Sequence, residues 1–338
     1  MKKDNAIILW LLSGCLIIFI MVVIGGVTRL TDSGLSMVKW ELFMGTIPPL
    51  NNSEWQEVFA LYQQSPEGKK LNYNCTLQEF KYIYFWEYLH RMIGRLLGLV
   101  FIIPFIVFLI QKKLNRKLIK QSLILFFLGG MQGAIGWWMV KSGLVDNPHV
   151  SHYRLSIHLI TAFLTCAFTF WVALSLIYKN PLQGNKKIQK HLQLYFFVVI
   201  IQIIYGAFVA GLDAGGGFNT WPKMHGEWIP EAVYMDSNGY NSMWFLEHRW
   251  GVQFIHRTLA FVILAFTIYL WIVARKSNIE IAQKKGVNLI ALLVFLQTVL
   301  GVTTLIYAAP ITLALTHQIV AFFLLMAIVY NLFLFKKT

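Results

Sequence analysis

Residues 85–110 read FWEYLHRMIGRLLGLVFIIPFIVFLI, and this stretch decides the class of fold. The hydrocarbon core of a bilayer is about 30 Å thick and takes about 20 apolar residues of helix to cross, so the stretch can span a membrane. The whole chain has the same character, because 57% of its residues are apolar, 13% are charged and the mean hydropathy is +0.59. A soluble domain carries about 25% charged residues, so the composition excludes the ordinary water-soluble class.

Seven further apolar runs of similar length lie between polar breaks. Together they predict an all-α integral membrane protein with eight transmembrane helices. The predicted spans are 6–24, 85–110, 118–140, 154–178, 192–212, 250–274, 287–307 and 311–335. The first run is too long for the apolar part of a signal peptide and no small-residue cleavage site follows it, so we expect it to remain as a helix.

Lysine and arginine cluster in alternate connections between these spans. The positive-inside rule places such connections in the cytoplasm, so eight crossings put both termini there. The clusters lie at 2–3, 112–120, 179–190, 275–285 and 336–337. They account for much of the net charge of +14, and they give no reason to expect a nucleic-acid partner.

The chain also reads as one four-helix unit written twice. Both halves carry, in the same order, a glycine-containing end of the first helix, a His-Arg pair, a glutamine four residues before a glycine, and a His-x-Ile-x-Ala-Phe motif. These are 25–34 and 206–215, His90-Arg91 and His256-Arg257, Gln132/Gly136 and Gln297/Gly301, and 158–163 and 317–322. An even number of helices in each unit makes the repeat parallel. We therefore expect two parallel-repeat four-helix bundles, 1–178 and 191–338, joined by a cytoplasmic linker at 179–190.

Four histidines, His90, His158, His256 and His317, lie inside apolar sequence near the same end of the even-numbered helices. An ionisable side chain at membrane depth is costly and usually faces a partner or a cofactor. A hydrogen bond to a neighbouring helix explains one such histidine, but it must be invoked four times at repeat-related positions. Paired imidazoles without other ligands at that depth suit a haem iron bound from both faces better than zinc or copper. We predict two haem-sized sites, one in each half, near the outer surface.

Glu87 lies three residues before His90, and residues at that spacing share a helix face. A carboxylate beside an iron ligand can move protons or stabilise a cationic intermediate. The alternative is an interfacial carboxylate paired with Arg91 or a loop base, and spacing alone leaves both roles open. The second half carries Val252 and Gln253 at or near the corresponding place, so the two sites are not expected to be equivalent. The simplest interpretation is a catalytic acid in the first half and an electron-transfer haem in the second.

Several segments resemble haem A synthase, of the mitochondrial and alphaproteobacterial branch, and the resemblance runs from the first predicted helix to the eighth. The segments are GGVTRLTDSGLS at 25–36, EYLHR at 87–91, GWWMVKSGL at 136–144 and VQFIHR at 252–257. The family oxidises the C8 methyl group of haem O to a formyl group by successive hydroxylations, which gives haem A.

The resemblance implies a role for each candidate residue. It assigns His256 and His317 as ligands of haem b, and places His90 and His158 at the iron of the substrate, haem O. It makes Glu87 the catalytic carboxylate. Another branch of the family has a cysteine pair in the first outer loop, which a single cysteine at position 75 cannot form.

The same resemblance implies haem O synthase and an unidentified electron carrier as partners, besides the lipid bilayer. The absence of an Arg-rich, Ser-rich presequence favours a bacterial inner membrane over a mitochondrial one, with the histidine sites near its periplasmic face. The sequence leaves a homo-oligomer open.

Two other functions remain as alternatives. A di-haem cytochrome b with bis-histidine ligation would pass electrons between a quinol and a partner, and would retain two identical haems. A transporter would need polar or helix-breaking residues in the middle of its spans, whereas the polar groups here lie at the outer ends.

Overall fold

The structure is a computed structural model that describes residues 2–38, 46–145, 148–178, 182–236 and 239–336. Its α-helices, in chain order, are α1 (Lys2–Leu30), α2 (Asn52–Gln63), α3 (Pro66–Lys70), α4 (Leu77–Ile110), α5 (Arg116–Lys141), α6 (His152–Ile177), α7 (Lys186–Gly211), α8 (Arg249–Lys276), α9 (Ile281–Ile306) and α10 (Ile311–Leu334). Two short 3₁₀ turns (Ala214–Gly216 and Glu231–Val233) and a two-stranded antiparallel hairpin, β1 (Met235–Asp236) and β2 (Gly239–Tyr240), lie between α7 and α8.

Within these ranges, eight helices are long and apolar enough to cross a membrane, namely α1 and α4 to α10. This confirms the predicted all-α membrane fold class. Large apolar side chains stand exposed on the spans, for example Leu9 and Phe127 at 69% and Ile110 at 75%. Such exposure is the expected surface of a helix that faces lipid tails, since these are as apolar as leucine.

Helix α4 begins eight residues before the predicted span, at Leu77 instead of 85. The reason is a capping box, in which the Thr76 hydroxyl accepts from the backbone of Glu79 while the Glu79 carboxylate accepts from the backbone of Thr76. The helix has 34 residues, which is about 50 Å at 1.5 Å per residue and longer than a bilayer core. Glu87 and His90 therefore stand well inside a rigid helix.

The described part of the segment between α1 and α4 shares a small hydrophobic core with the first two turns of α4. Its buried members are Met37, Phe59, Tyr62, Phe80 and Tyr84. The Tyr62 and Phe80 rings lie 5.0 Å apart, which joins the end of α2 to the first turn of α4. The segment is thus a folded cap on α4, because aromatic side chains contribute large buried areas.

One guanidinium makes four of the hydrogen bonds that hold the segment between α7 and α8. Arg257 of α8 is 9% exposed. Its nitrogens donate to four backbone carbonyl oxygens, those of Phe218, Thr220, Pro222 and Lys223. A buried charge is tolerable when its donors are satisfied, so this arginine fixes the segment to α8.

The chain packs as two units, Met1–Cys166 and Ala167–Thr338. In the first unit α4 packs against α1 and α5. In the second unit α7 packs against α8, α8 against α9, α9 against α10 and α10 against α7, which closes a four-helix arrangement. The boundary between the units falls inside α6, and the predicted domain limits, the parallel repeat and the orientation of the termini stay predictions.

Candidate functional site

Each of the four predicted histidines packs its ring against a glycine on another membrane helix. A Cβ atom added to the glycine would stand closer to the ring Cε1 atom than the 3.4 Å at which ordinary contact begins. The pairs are Gly25 and His90 at 3.1 Å, Gly136 and His158 at 3.2 Å, Gly206 and His256 at 3.2 Å, and Gly301 and His317 at 3.0 Å. Each ring therefore packs against the backbone of the neighbouring helix, in space that a larger side chain at the glycine position would occupy.

In the second unit the two histidines have the spacing of paired axial ligands. The ring centroids of His256 and His317 lie 6.5 Å apart, with ring planes at 75°. Imidazoles that bind one metal from opposite sides, each about 2.0–2.1 Å from it, have centroids about 6 Å apart. Among the described residues the buried Nδ1 atoms of both rings have no hydrogen-bond partner. Two unpartnered ring nitrogens at this separation fit an iron porphyrin held from both faces.

In the first unit His90 of α4 and His158 of α6 are close enough to interact electrostatically. The Nδ1 atom of His90 is buried and lacks a partner within the part of the chain that the structure describes. The described residues hold no group of three or more His, Cys, Asp or Glu side chains that could bind a metal ion. A porphyrin, which supplies four nitrogen ligands itself, fits these histidine pairs better than a bare zinc or copper ion.

Glu87 is buried in a network of donors and is only 4% exposed. Its Oε1 atom accepts from Arg91 at 2.5 Å, and its Oε2 atom accepts from the Ser36 hydroxyl at 2.7 Å and the Met37 amide at 2.8 Å. Arg91 also donates to the Met37 carbonyl at 3.2 Å. The pairing with Arg91 is what we expect if Glu87 is an interfacial carboxylate. The pair is buried, however, and so does not lie at an open water interface. The carboxylate both fastens the segment after α1 and stands one turn before His90.

The second unit has a neutral counterpart of this carboxylate. Gln253 precedes His256 by three residues, as Glu87 precedes His90, and it is 3% exposed. Its Nε2 atom donates to the carbonyl oxygens of Ala214 and Gly217, both at 2.8 Å. Both units therefore use the residue three before the histidine to tie its helix to the segment that follows the preceding helix, and this residue is a carboxylate in the first unit and a neutral amide in the second.

Sequence reasoning missed two kinds of residue at these sites. It used the glycines as repeat markers and did not predict that all four contact a histidine. It paired Gln132 with Gln297 but passed over Gln202, which precedes Gly206 by four residues and lies 3.4 Å from His256, Nε2 to Nε2. The spacing Gln-x-x-x-Gly was a readable signal for Gln202.

Comparisons with known proteins agree with this arrangement. A family model described as COX15-CtaA, cytochrome oxidase assembly protein, matches residues 8–329. A protein of Flavobacterium psychrophilum named heme A synthase is 47% identical over 340 residues, which cover all of both chains. Its namesakes in Flavobacterium johnsoniae and Nitrosospira multiformis are 48% and 43% identical, and cover 100% and 93% of this chain and 100% and 89% of their own lengths. The chain therefore belongs to the COX15-CtaA family of cytochrome oxidase assembly proteins.

Proposed function

We propose that this chain is a haem A synthase, which oxidises the C8 methyl group of haem O to the formyl group of haem A. Two successive hydroxylations give a geminal diol, and loss of water from the diol leaves the formyl group. The observation that carries the proposal is the unequal pair of sites. Both units hold two histidines on glycines, but only the first adds a buried carboxylate three residues before a histidine. Full-length relatives named for this activity support it.

The second unit would hold haem b between His256 and His317. The 6.5 Å separation of their ring centroids and their unpartnered Nδ1 atoms support this assignment. The neutral Gln253 at the carboxylate position offers no acid or base, which suits a haem that only transfers electrons. We assign this unit the role of passing electrons from an external carrier.

The first unit would hold the substrate, with His90 and His158 on the two faces of haem O. When bound, the iron porphyrins supply the redox chemistry, and the protein orients the reacting group. The carboxylate of Glu87 is fixed by Ser36 and Met37, so it need not reorganise during the reaction. A preorganised negative charge stabilises positive charge that develops in the transition state, and this is the role we assign to Glu87.

We further propose that the chain lies in a bacterial inner membrane with both termini in the cytoplasm and both histidine pairs near the periplasmic face. Haem O synthase is the proposed source of the substrate. Topology reporters test the orientation: fusions after Lys120, Lys190 and Lys285 should read cytoplasmic, and a fusion near Asn51 should read periplasmic. A periplasmic signal from any of the first three would contradict the eight-span orientation.

The function is tested by expression in a host that makes haem O but no haem A, followed by chromatography and mass analysis of the extracted haems. The proposal expects a new haem that is heavier than haem O by one oxygen and lighter by two hydrogens. A di-haem cytochrome b would leave the haem O pool unchanged and retain two identical haems in the purified protein. That outcome would overturn the proposal.

A further inference from the structure

Three of the four histidines have a glutamine beside them, at one position on the facing helix. Gln132, Gln202 and Gln297 each stand four residues before the glycine on which a histidine rests. Gln202 lies 3.4 Å from His256 and Gln297 lies 3.2 Å from His317, between Nε2 atoms.

The first unit has one such glutamine. With its amide in the better-satisfied orientation, the Gln132 nitrogen lies 3.2 Å from Nδ1 of His158, and its oxygen accepts from the Thr161 hydroxyl at 2.6 Å. The same helical turn thus brings an amide to an imidazole three times, at Nε2 of His256 and His317 and at Nδ1 of His158. Gln132 differs from the other two, because its oxygen is already engaged and its nitrogen donates to the ring.

The fourth position holds a thioether in place of an amide. Met21 stands four residues before Gly25, which is the glycine beneath His90. Its Cε atom lies 3.4 Å from the place where a Cβ on Gly94 would be, one turn past His90, so the side chain lies along that part of α4. A thioether sulfur is a weak acceptor and no donor.

The chemistry of metal-bound histidine gives this difference a meaning. When one ring nitrogen binds a metal, the other carries a hydrogen, and an acceptor for that hydrogen orients the ring and makes it a stronger ligand. The Oε1 atoms of Gln202 and Gln297 are buried and lack partners within the described ranges. Amide oxygen and nitrogen exchange by a half-turn of the group, so each oxygen can accept from the imidazole it contacts. Met21 offers His90 no equivalent.

We propose that Gln202 and Gln297 are positioning residues that strengthen His256 and His317 as iron ligands, and that Met21 leaves His90 without such an acceptor. This inference rests on the proposed function, because an enzyme that modifies a haem has to release it while it keeps the electron-transfer haem. Met21 would make the first site the exchangeable one, and Gln202 and Gln297 would make the second site the permanent one.

The test measures haem release and not turnover. Purified protein is loaded with excess haem b to fill both sites, and apomyoglobin in excess then captures what dissociates. We expect a fast phase, absent in His90→Ala, and a slow phase, absent in His317→Ala. Met21→Gln should slow the fast phase about 10- to 100-fold, the usual size of such an effect on metal affinity. Gln297→Met should accelerate the slow phase by a similar factor.

Met21→Leu is the matched control, because it keeps an apolar side chain of similar size and adds no amide, and its fast phase should equal that of the wild type. A spectroscopic readout separates positioning from packing. Loss of the acceptor weakens the imidazole as a donor to iron, so Gln297→Met should raise the midpoint potential of the slow-phase haem.

Equal fast phases in Met21→Gln and Met21→Leu, or an unchanged slow phase and midpoint potential in Gln297→Met, would overturn the inference. The proposed function is tested separately, by the haems extracted from a haem O-producing host that expresses the wild-type protein. If haem A forms but the haem release rates do not change in Met21→Gln and Gln297→Met, only this inference fails. Responsive rates without haem A formation remove the proposed function and leave the positioning role in place.

Discussion

Gly301→Ala should release the haem b that we propose for the second unit, although it adds only one methyl group. The new Cβ atom would stand 3.0 Å from Cε1 of His317, while ordinary contact begins at 3.4 Å, so the ring has to move by about 0.4 Å. Metal–ligand distances hold to within about 0.2 Å, so the displaced nitrogen cannot keep its bond without strain elsewhere. The added Cβ is attached directly to the backbone of α9, so it cannot move aside as the end of a flexible side chain would.

The expected magnitude follows from packing energetics. Forcing an extra methyl group into a filled space costs about 1–3 kcal/mol. If that cost falls on the haem-bound state, the dissociation constant of haem b rises about 5- to 150-fold, since 1.4 kcal/mol is a factor of ten. Helix propensity works the other way, because alanine is favoured over glycine in a helix by about 1 kcal/mol. A loss of haem would therefore report on the ring and not on a weakened α9.

The assay compares haem b content and its dissociation rate in three purified variants. Gly129→Ala of α5 is the matched control, since in the described part of the chain its added Cβ would have nothing within 4 Å apart from the backbone of its own helix and its chain neighbours. Gly206→Ala should have a smaller effect than Gly301→Ala, because its Cβ would stand 3.2 Å from the ring of His256. If Gly301→Ala keeps haem b with a dissociation rate within about twofold of the Gly129→Ala rate, the glycine contact does not locate the ring and the reasoning fails.

Three further predictions address other parts of the molecule. His317→Ala should lose the low-spin haem b spectrum, and the wild type should give a highly anisotropic low-spin electron paramagnetic resonance signal because the ring planes of His256 and His317 lie at 75°; an unchanged spectrum in the variant would exclude this pair as ligands. Glu87→Gln should fold and retain haem b but slow haem A formation about 10²–10³-fold, with haem O or its C8 alcohol accumulating, and a normal haem A yield would assign Glu87 to structure alone. Burial raises the pKa of Glu67 from 4.5 to about 8, so the folded state holds a proton that the unfolded state has lost, and the stability of the segment 52–70 should fall as pH rises from 4.5 to 8. Glu67→Gln should abolish that pH dependence in a limited-proteolysis assay, and a persistent dependence would place the proton on another group.

The sequence predicted the eight spans because burial in lipid is read directly from hydropathy, which needs no knowledge of neighbouring helices. It missed the first two turns of α4, although the Thr76–Glu79 capping box is a local signal. Hydropathy predicts only the membrane-spanning part of the helix, and the capping box lies in the polar sequence before that part.

The four histidines of the candidate site could be singled out from the sequence, but their surroundings could not. The four histidines stand out because ionisable groups are rare at membrane depth. The contact between Gly301 and His317 depends on how two helices are rotated against each other, which a one-dimensional pattern does not contain. The bonds from Ser36 and Met37 to Glu87 likewise need the path of the chain after α1. Only the pairing of Glu87 with Arg91 could be read from spacing, as an i,i+4 contact.

The glycine contacts also bear on how freely such a chain can change over time. Where a ring is located by main-chain atoms, the identities of the surrounding side chains matter little for its position, provided that the helices keep their course. The lipid-facing residues, such as Leu9 and Phe127, can then be replaced by other apolar residues without disturbing the imidazoles. The residues that cannot be replaced are then the glycines, which take no part in the chemistry themselves. A mutational scan of the membrane helices should find four glycines as intolerant of replacement as the histidines that they face.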